Sequence, residues 1–440
     1  MTAMLSNLLP MTDGRSAIRC SHPARGEKME LPTANGSPAR GRQMIRIVVA
    51  LAFALTVLTA CGGSSDQART ERPDDAGRVL SEAPLENLVP ALRDASSSAR
   101  TITYASRNGV NDAVSHVTGT VFVPKGTPPK DGFPVVALGH RTAGTAADCA
   151  PSLSPDLRGE ASSVVALLKA GYVVTVPDYQ GLGQPSEPDE YDFHPYLDST
   201  TAGYNMIDAV RAARTIVPDT STSWAALGAR EGGQAAWAAN ELIDNYGYDL
   251  NLVATASLAP TADIDNLADA AMAGTLNTDQ KLAYIAYLSA LKDQYYYDFE
   301  LDDYRRGAAQ ENWDALLSCG DAAQRSALAD KLSAEDLRPA GPEALTTLRG
   351  YLQKTNLPQG PTAAPMYVIY AGRDAVVPAA STERALTKAC KMGDGIQIAF
   401  WPDSTRDAVE PVAALGWLND RMKSIPAAND CRAFLAAHPR

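Results

Sequence analysis

Apolar residues recur along this chain in two alternating rhythms. Short unbroken apolar runs such as 133–139 and 172–178 end in turn residues, as strands buried on both faces do. Between them lie amphipathic stretches at helical spacing, 162–171 and 203–217, the latter with Ile207, Val210, Ala213 and Arg214 in register. Residues 101–107 and 116–123 predict two earlier strands. A strand at 223–227, an Ala-rich helix at 234–246 and a strand at 252–258 follow. From about Ile264 to Gly360 the strand signals stop, and helical stretches rich in Ala, Leu, Asp and Tyr take over. Strands return at 366–370 and 396–401, with helices near 381–391 and 411–422. This alternation predicts an α/β fold, a mostly parallel sheet flanked by helices. The interruption predicts an inserted helical cap over the strand C-terminal ends, where such sheets bind ligands.

The N-terminus follows a different logic. Arg40, Arg42 and Arg46 precede an apolar run, 47–60, of about 14 residues, too short to span a bilayer and suited to the h-region of a signal peptide. It ends in Leu58-Thr59-Ala60-Cys61, which resembles a bacterial lipobox in which Cys61 receives the lipid. An ordinary secretory signal with a chance cysteine is the alternative. Residues 1–43 look irregular, with Met44 a candidate true start. The expected organisation is an extension and signal peptide over 1–61, a polar tether over 62–80, a first core segment over 81–263, a helical cap over 264–360 and a second core segment over 361–440. Export to the outer face of the cell membrane permits disulfides. Of the three pairings open to Cys149, Cys319, Cys390 and Cys431, we favour Cys390–Cys431, which flank the last strand and helix, with Cys149–Cys319. A net charge of −12 argues against nucleic acid as a partner. No metal or cofactor is expected, and the oligomeric state is left open.

The chemistry concentrates at Gly228-Ala229-Arg230-Glu231-Gly232. It has the frame of G-x-S-x-G, in which the two glycines allow a sharp strand-to-helix turn that holds up a nucleophilic Ser. Here Arg230 stands at that centre. Further blocks follow the same order as in one family: Gly139-His140-Arg141-Thr142-Ala143-Gly144, Val176-Pro177-Asp178-Tyr179-Gln180-Gly181, His194-Pro195-Tyr196-Leu197, and Tyr370-Ala371-Gly372-Arg373-Asp374. Over roughly 80–425 the chain resembles the secretory lipases, α/β-hydrolases that cleave acylglycerols and other esters.

The resemblance implies a Ser nucleophile, an Asp and a His in that chain order, with backbone N–H groups for the oxyanion. Asp374 matches the acid. Arg230 replaces the Ser and cannot attack a carbonyl. Arg406 falls at the His position, and of the five His only His438, in the C-terminal tail, follows Asp374. In the oxyanion loop His140-Arg141-Thr142 replaces the usual His-Gly-Thr, while the Glu231 N–H would supply the other donor. The resemblance thus implies an inactive shell in which Arg141, Arg230 and Arg406 converge, countered by Asp374 with Glu231 and Asp407 assisting. A free guanidinium there would bind an anionic or lipid-like ligand, with the membrane engaged through the anchor. Simple loss of the site stands beside this, since single base changes turn Ser, His and Gly codons into Arg. Two further readings are an active esterase with another nucleophile, such as Ser404 or Ser257, and an envelope interaction protein using the cap. The tyrosines at 284, 287 and 295–297 would suit a partner but read more simply as the core of the cap.

Overall fold

The computed structural model describes residues 75–185, 193–295 and 297–439. Cys61, Met44 and most of the expected tether lie outside these residues, as does Tyr296. Among the described residues nine strands form one sheet: β1 (Val79–Pro84), β2 (Ser96–Arg107), β3 (Val114–Pro124), β4 (Phe133–Gly139), β5 (Val173–Pro177), β6 (Thr220–Ala229), β7 (Asn251–Leu258), β8 (Met366–Ala371) and β9 (Ile396–Trp401). Their spatial order is β1-β2-β3-β5-β4-β6-β7-β8-β9. The pairs from β1 through β3 to β5 are antiparallel, and all pairs from β5 onward are parallel.

Helices α1 (Pro90–Ala95), α2 (Ala161–Lys169), α3 (Ser199–Ile216) and α4 (Glu231–Tyr246) precede the cap. In β4 the side chains alternate between two layers, as a two-residue period requires. Val135 and Ala137 pack with Val210 of α3 and Ala239 of α4. Val136 and Leu138 pack with Val164 and Leu167 of α2 on the opposite face. Both faces being covered is the reason β4 and β5 read as unbroken apolar runs.

Among the described residues between β7 and β8 no strand forms, and the α-helices are α5 (Asn266–Ala273), α6 (Thr278–Gln294), α7 (Gly307–Glu311), α8 (Trp313–Leu317), α9 (Ala322–Lys331) and α10 (Pro342–Thr355). A reciprocal capping box, Asn277 with Gln280, starts α6. The expected tyrosine cluster divides. Tyr284 and Tyr287 are buried among Leu288, Phe299 and Leu352, whereas Tyr297 is 90% exposed. Cys149–Cys319 links the loop after β4 to the cap. Cys390–Cys431 links α11 (Ala379–Met392) to α13 (Cys431–Ala437), which follows α12 (Leu415–Met422).

Three expectations need correction. The tether does not reach residue 80, because Val79 and its successors pair with β2. Helix 411–422 is divided into a 3-10 turn, Pro411–Ala414, and α12. It is also not the last helix, since α13 follows, too short to show a helical period.

The strand–helix packing at the centre is unusually close. Gly139 of β4 lies beside Gly228 of β6. A Cβ on Gly232 would sit 2.0 Å from the Gly139 carbonyl oxygen, and one on Gly228 would sit 2.2 Å from the Gly232 oxygen. These obstacles are backbone and cannot rotate away. Gly232→Ala should therefore destabilise the fold by about 1–3 kcal/mol, as overpacking does, read as a lower denaturation midpoint in urea.

Glu241 of α4 accepts the backbone N–H groups of Gln359 and Gly360 at 2.9 and 3.2 Å. Burial pushes its carboxyl up to about 7, with those two N–H groups acting in the opposite sense. Against about 4.3 for an unfolded Glu, the bound proton favours the fold. That stabilisation is complete below about pH 4.3 and is lost as the pH rises through about 7. Glu241→Gln keeps an acceptor and removes the charge. It should melt a few degrees above the parent at pH 8, with the difference closing toward pH 5, measured by thermal scans at both.

Candidate functional site

The turn from β6 into α4 is made by one residue. Arg230 has φ 61° and ψ −116°, a region few non-glycine residues enter, at a cost of roughly 1–3 kcal/mol. Its N–H donates to the Leu258 carbonyl at 2.7 Å. Its own carbonyl accepts N–H groups from Gln234 and Thr261 at 3.0 and 3.1 Å. The backbone is thus held from α4, from β7 and from the loop that follows β7. The side chain at 230 has no part in this, so the elbow keeps its shape with arginine at its apex.

Asp374 follows β8. Its Oδ1 accepts the N–H groups of Val376 and Val377 at 2.8 and 2.9 Å, which fixes the carboxylate. Arg406, in the loop after β9, approaches it at 3.6 Å, and both side chains are largely buried. This is an ion pair rather than a hydrogen bond. The next residue, Asp407, pairs with Arg230. Burial and the neighbouring Arg406 push the Arg230 guanidinium below its usual pKa, while Asp407 acts in the opposite sense. The Nε atoms of Arg230 and Arg406 are both buried without hydrogen-bond partners among the described residues.

Arg141 stands near enough for its charge to lower the Arg230 pKa, but it does not line the one cavity in which the three arginines were expected to converge. Its Nε donates to Glu160 at 2.8 Å and its terminal nitrogens to Glu410 at 3.2 and 2.7 Å. Burial lowers the pKa of this guanidinium, and the two acids outweigh that effect and raise it. The Arg141 backbone N–H is also taken, by Glu160 at 3.2 Å. The reason is local: two carboxylates, Glu160 and Glu410, lie within reach of Arg141. His140 is buried between the Arg141 and Asp178 carbonyls at 2.7 and 3.1 Å, which makes it a strut for the loop. Glu231 does not assist the arginines either, because its carboxylate faces His194 Nε2 at 3.1 Å. The Thr142 hydroxyl meets the Tyr196 hydroxyl at 3.1 Å at the cavity wall.

A cavity of about 250 Å³ lies between elbow and cap, lined by Arg230, Arg406 and Asp407 from the core and by Leu282, Leu316 and Arg325 from the cap. Arg325 of α9 was not expected. It donates to the Ser318 carbonyl at 2.6 Å, and burial pushes its pKa down. Among the described residues it forms no ion pair. No motif marks it, because a cap arginine has the same local sequence context whether it faces water or a cavity. Glu410 was more accessible to inference, since it lies four residues beyond Arg406 in the same loop. Neither alternative nucleophile lines the cavity. Ser257 is buried in β7, donating to the Gly233 carbonyl at 2.7 Å. The Ser404 backbone is engaged by Trp401 and Arg373.

Comparisons agree with this architecture. The model of the family "Secretory lipase" matches residues 151–430. A secreted triacylglycerol lipase of Malassezia furfur is 26% identical over 213 residues, 44% of this chain. That alignment spans 38% of the relative's own length. Among solved structures, Candida antarctica lipase A in its closed state superimposes with a TM-score of 0.65 at 16% identity, covering 80% of this chain and 84% of that one. The rice cell wall degrading esterase LipA of Xanthomonas oryzae gives a TM-score of 0.60 at 20% identity, covering 80% and 97%. At such identities the structural likeness speaks for the fold, which is that of the α/β-hydrolases. With its matched segment running through the elbow, the cap and the Asp374 turn, the chain belongs to the secretory lipase family.

Proposed function

We propose that this chain is a lipid-anchored, exported hydrolase shell that holds an anionic, lipid-like ligand and does not hydrolyse esters. The observation that carries this is Arg230 at the apex of a preserved elbow, with its guanidinium at the cavity. The positions that the resemblance assigns to serine and histidine are both occupied by arginine, so neither a serine oxygen nor an imidazole stands there. In a serine protease with the same triad logic, loss of Ser or His alone lowers turnover by about a million-fold. The retained acid supports no reaction by itself, since its role is to orient an imidazole. Arg230, Arg406 and Arg325 line a cavity whose other walls include Leu267, Leu282 and Leu316. A carboxylate or phosphate head would meet guanidinium forks there, with an apolar tail against the leucines. The matched charges around Arg141, Arg230 and Arg406 favour this reading over decay of the site.

The full chain should turn over short and long nitrophenyl esters no faster than buffer. Turnover abolished by a serine-directed phosphonate would overturn the proposal. In the same assay, Arg230→Ser combined with Arg406→His should gain at least about a hundredfold over either single variant, because triad members act as a unit. Anchoring rests on Cys61, and Cys61→Ser should move the chain from the detergent phase to the aqueous phase on detergent partitioning of cell extracts. An unchanged distribution would remove the anchor from the proposal.

A further inference from the structure

Every charged side chain between β9 and the turn at Pro411 is ion-paired to a different part of the former active centre. Asp403 meets Arg373 at 3.2 Å, Arg406 meets Asp374 at 3.6 Å, Asp407 meets Arg230, and Glu410 meets Arg141 at 2.7 Å. The four pairs differ in what is left behind when they open. Parting Arg406 from Asp374 strands two buried charges. Parting Glu410 from Arg141 leaves an arginine that still holds Glu160. Parting Asp403 from Arg373 changes little, since both lie in water.

The pair at the elbow is asymmetric. Asp407 is 77% exposed in its side chain and Arg230 16%. On opening, the acid returns to a solvent shell it has hardly left. The guanidinium stays desolvated beside Arg406, and its Nε lacks a partner among the described residues. A buried cation in that position requires an anion. Asp407 brings a carboxylate and nothing else. A ligand carboxylate with an alkyl chain brings the same group and also covers Leu282, Leu316 and Leu317.

We propose that Asp407 is a built-in competitor for the Arg230 fork, displaced into solvent when an alkyl carboxylate enters the cavity. This rests on the reading of the cavity as an anion site and adds how the site is guarded and what it selects. A volume of about 250 Å³ falls below the ~300–1,000 Å³ usual for drug-sized ligands, so the favoured chain is short. The exchange is a swap of carboxylates on one guanidinium, with no bond made or broken.

The test is calorimetric titration of the full chain with octanoate. Octanoate should bind the parent, and Asp407→Asn should bind it about fivefold more tightly, the scale of an exposed ion pair. Asp403→Asn, four residues away and paired outside the cavity, should match the parent. Arg230→Ser, whose side chain the elbow accommodates, should lose binding while keeping its cooperative thermal unfolding. Hexadecanoate should bind more weakly than octanoate. Octanoate binding to the parent with no gain in Asp407→Asn would overturn the competitor while leaving the anion site standing. No binding to the parent or to Asp407→Asn would overturn both.

Discussion

The turn at residue 230 depends on how closely α4 approaches the sheet. Gly139, Gly228 and Gly232 let two strands and a helix meet where any Cβ would strike backbone. That contact, with hydrogen bonds to Leu258 and Thr261, holds the chain at a positive φ. None of these interactions involves the side chain at 230. The turn's strain is offset by its surroundings, so the scaffold tolerates a change of residue at its apex. This is the physical reason that a lipase architecture persists around an arginine.

Putting cations at this centre creates a charge problem that the loop after β9 answers. Burying a guanidinium without a counter-ion costs several kcal/mol. Asp407 and Glu410 answer two of the arginines, and the retained acid answers the third. The same loop that carries the catalytic base in the resembled family here acts as a strap of paired charges. The pairs are unequal in exposure: Asp374 and Arg406 are largely buried, whereas Asp407 is mostly in solvent. Arg141 is a strut, bonded to Glu160 and Glu410. Arg230 is held by a single exposed acid.

Much of this was legible in the chain itself. The central strands β4 and β5 show as apolar runs because both faces are covered, and the glycine frame of the elbow is explicit. The edge was less legible. β1 has one row of partners and a half-exposed pattern, so its first two residues, Val79 and Leu80, read as tether. The site was legible as a list of positions but not of directions. That Arg141 turns toward Glu160 depends on a carboxylate from α2's N-cap, nineteen residues away. That Arg325 turns inward depends on how α9 packs on the cap. Sequence order places residues on elements, and only packing decides which way a long side chain runs.

Catalysis and retention make related demands on this point of the fold. An esterase needs positive potential at the elbow to stabilise an oxyanion for an instant, and the N-terminus of α4 lies there to contribute it. A binding site needs the same potential held permanently. In this chain the α4 N-terminus keeps its place, its first acid, Glu231, is turned aside to His194, and Arg230 adds a full charge. A cation at residue 230 therefore adds to the positive field of the α4 N-terminus.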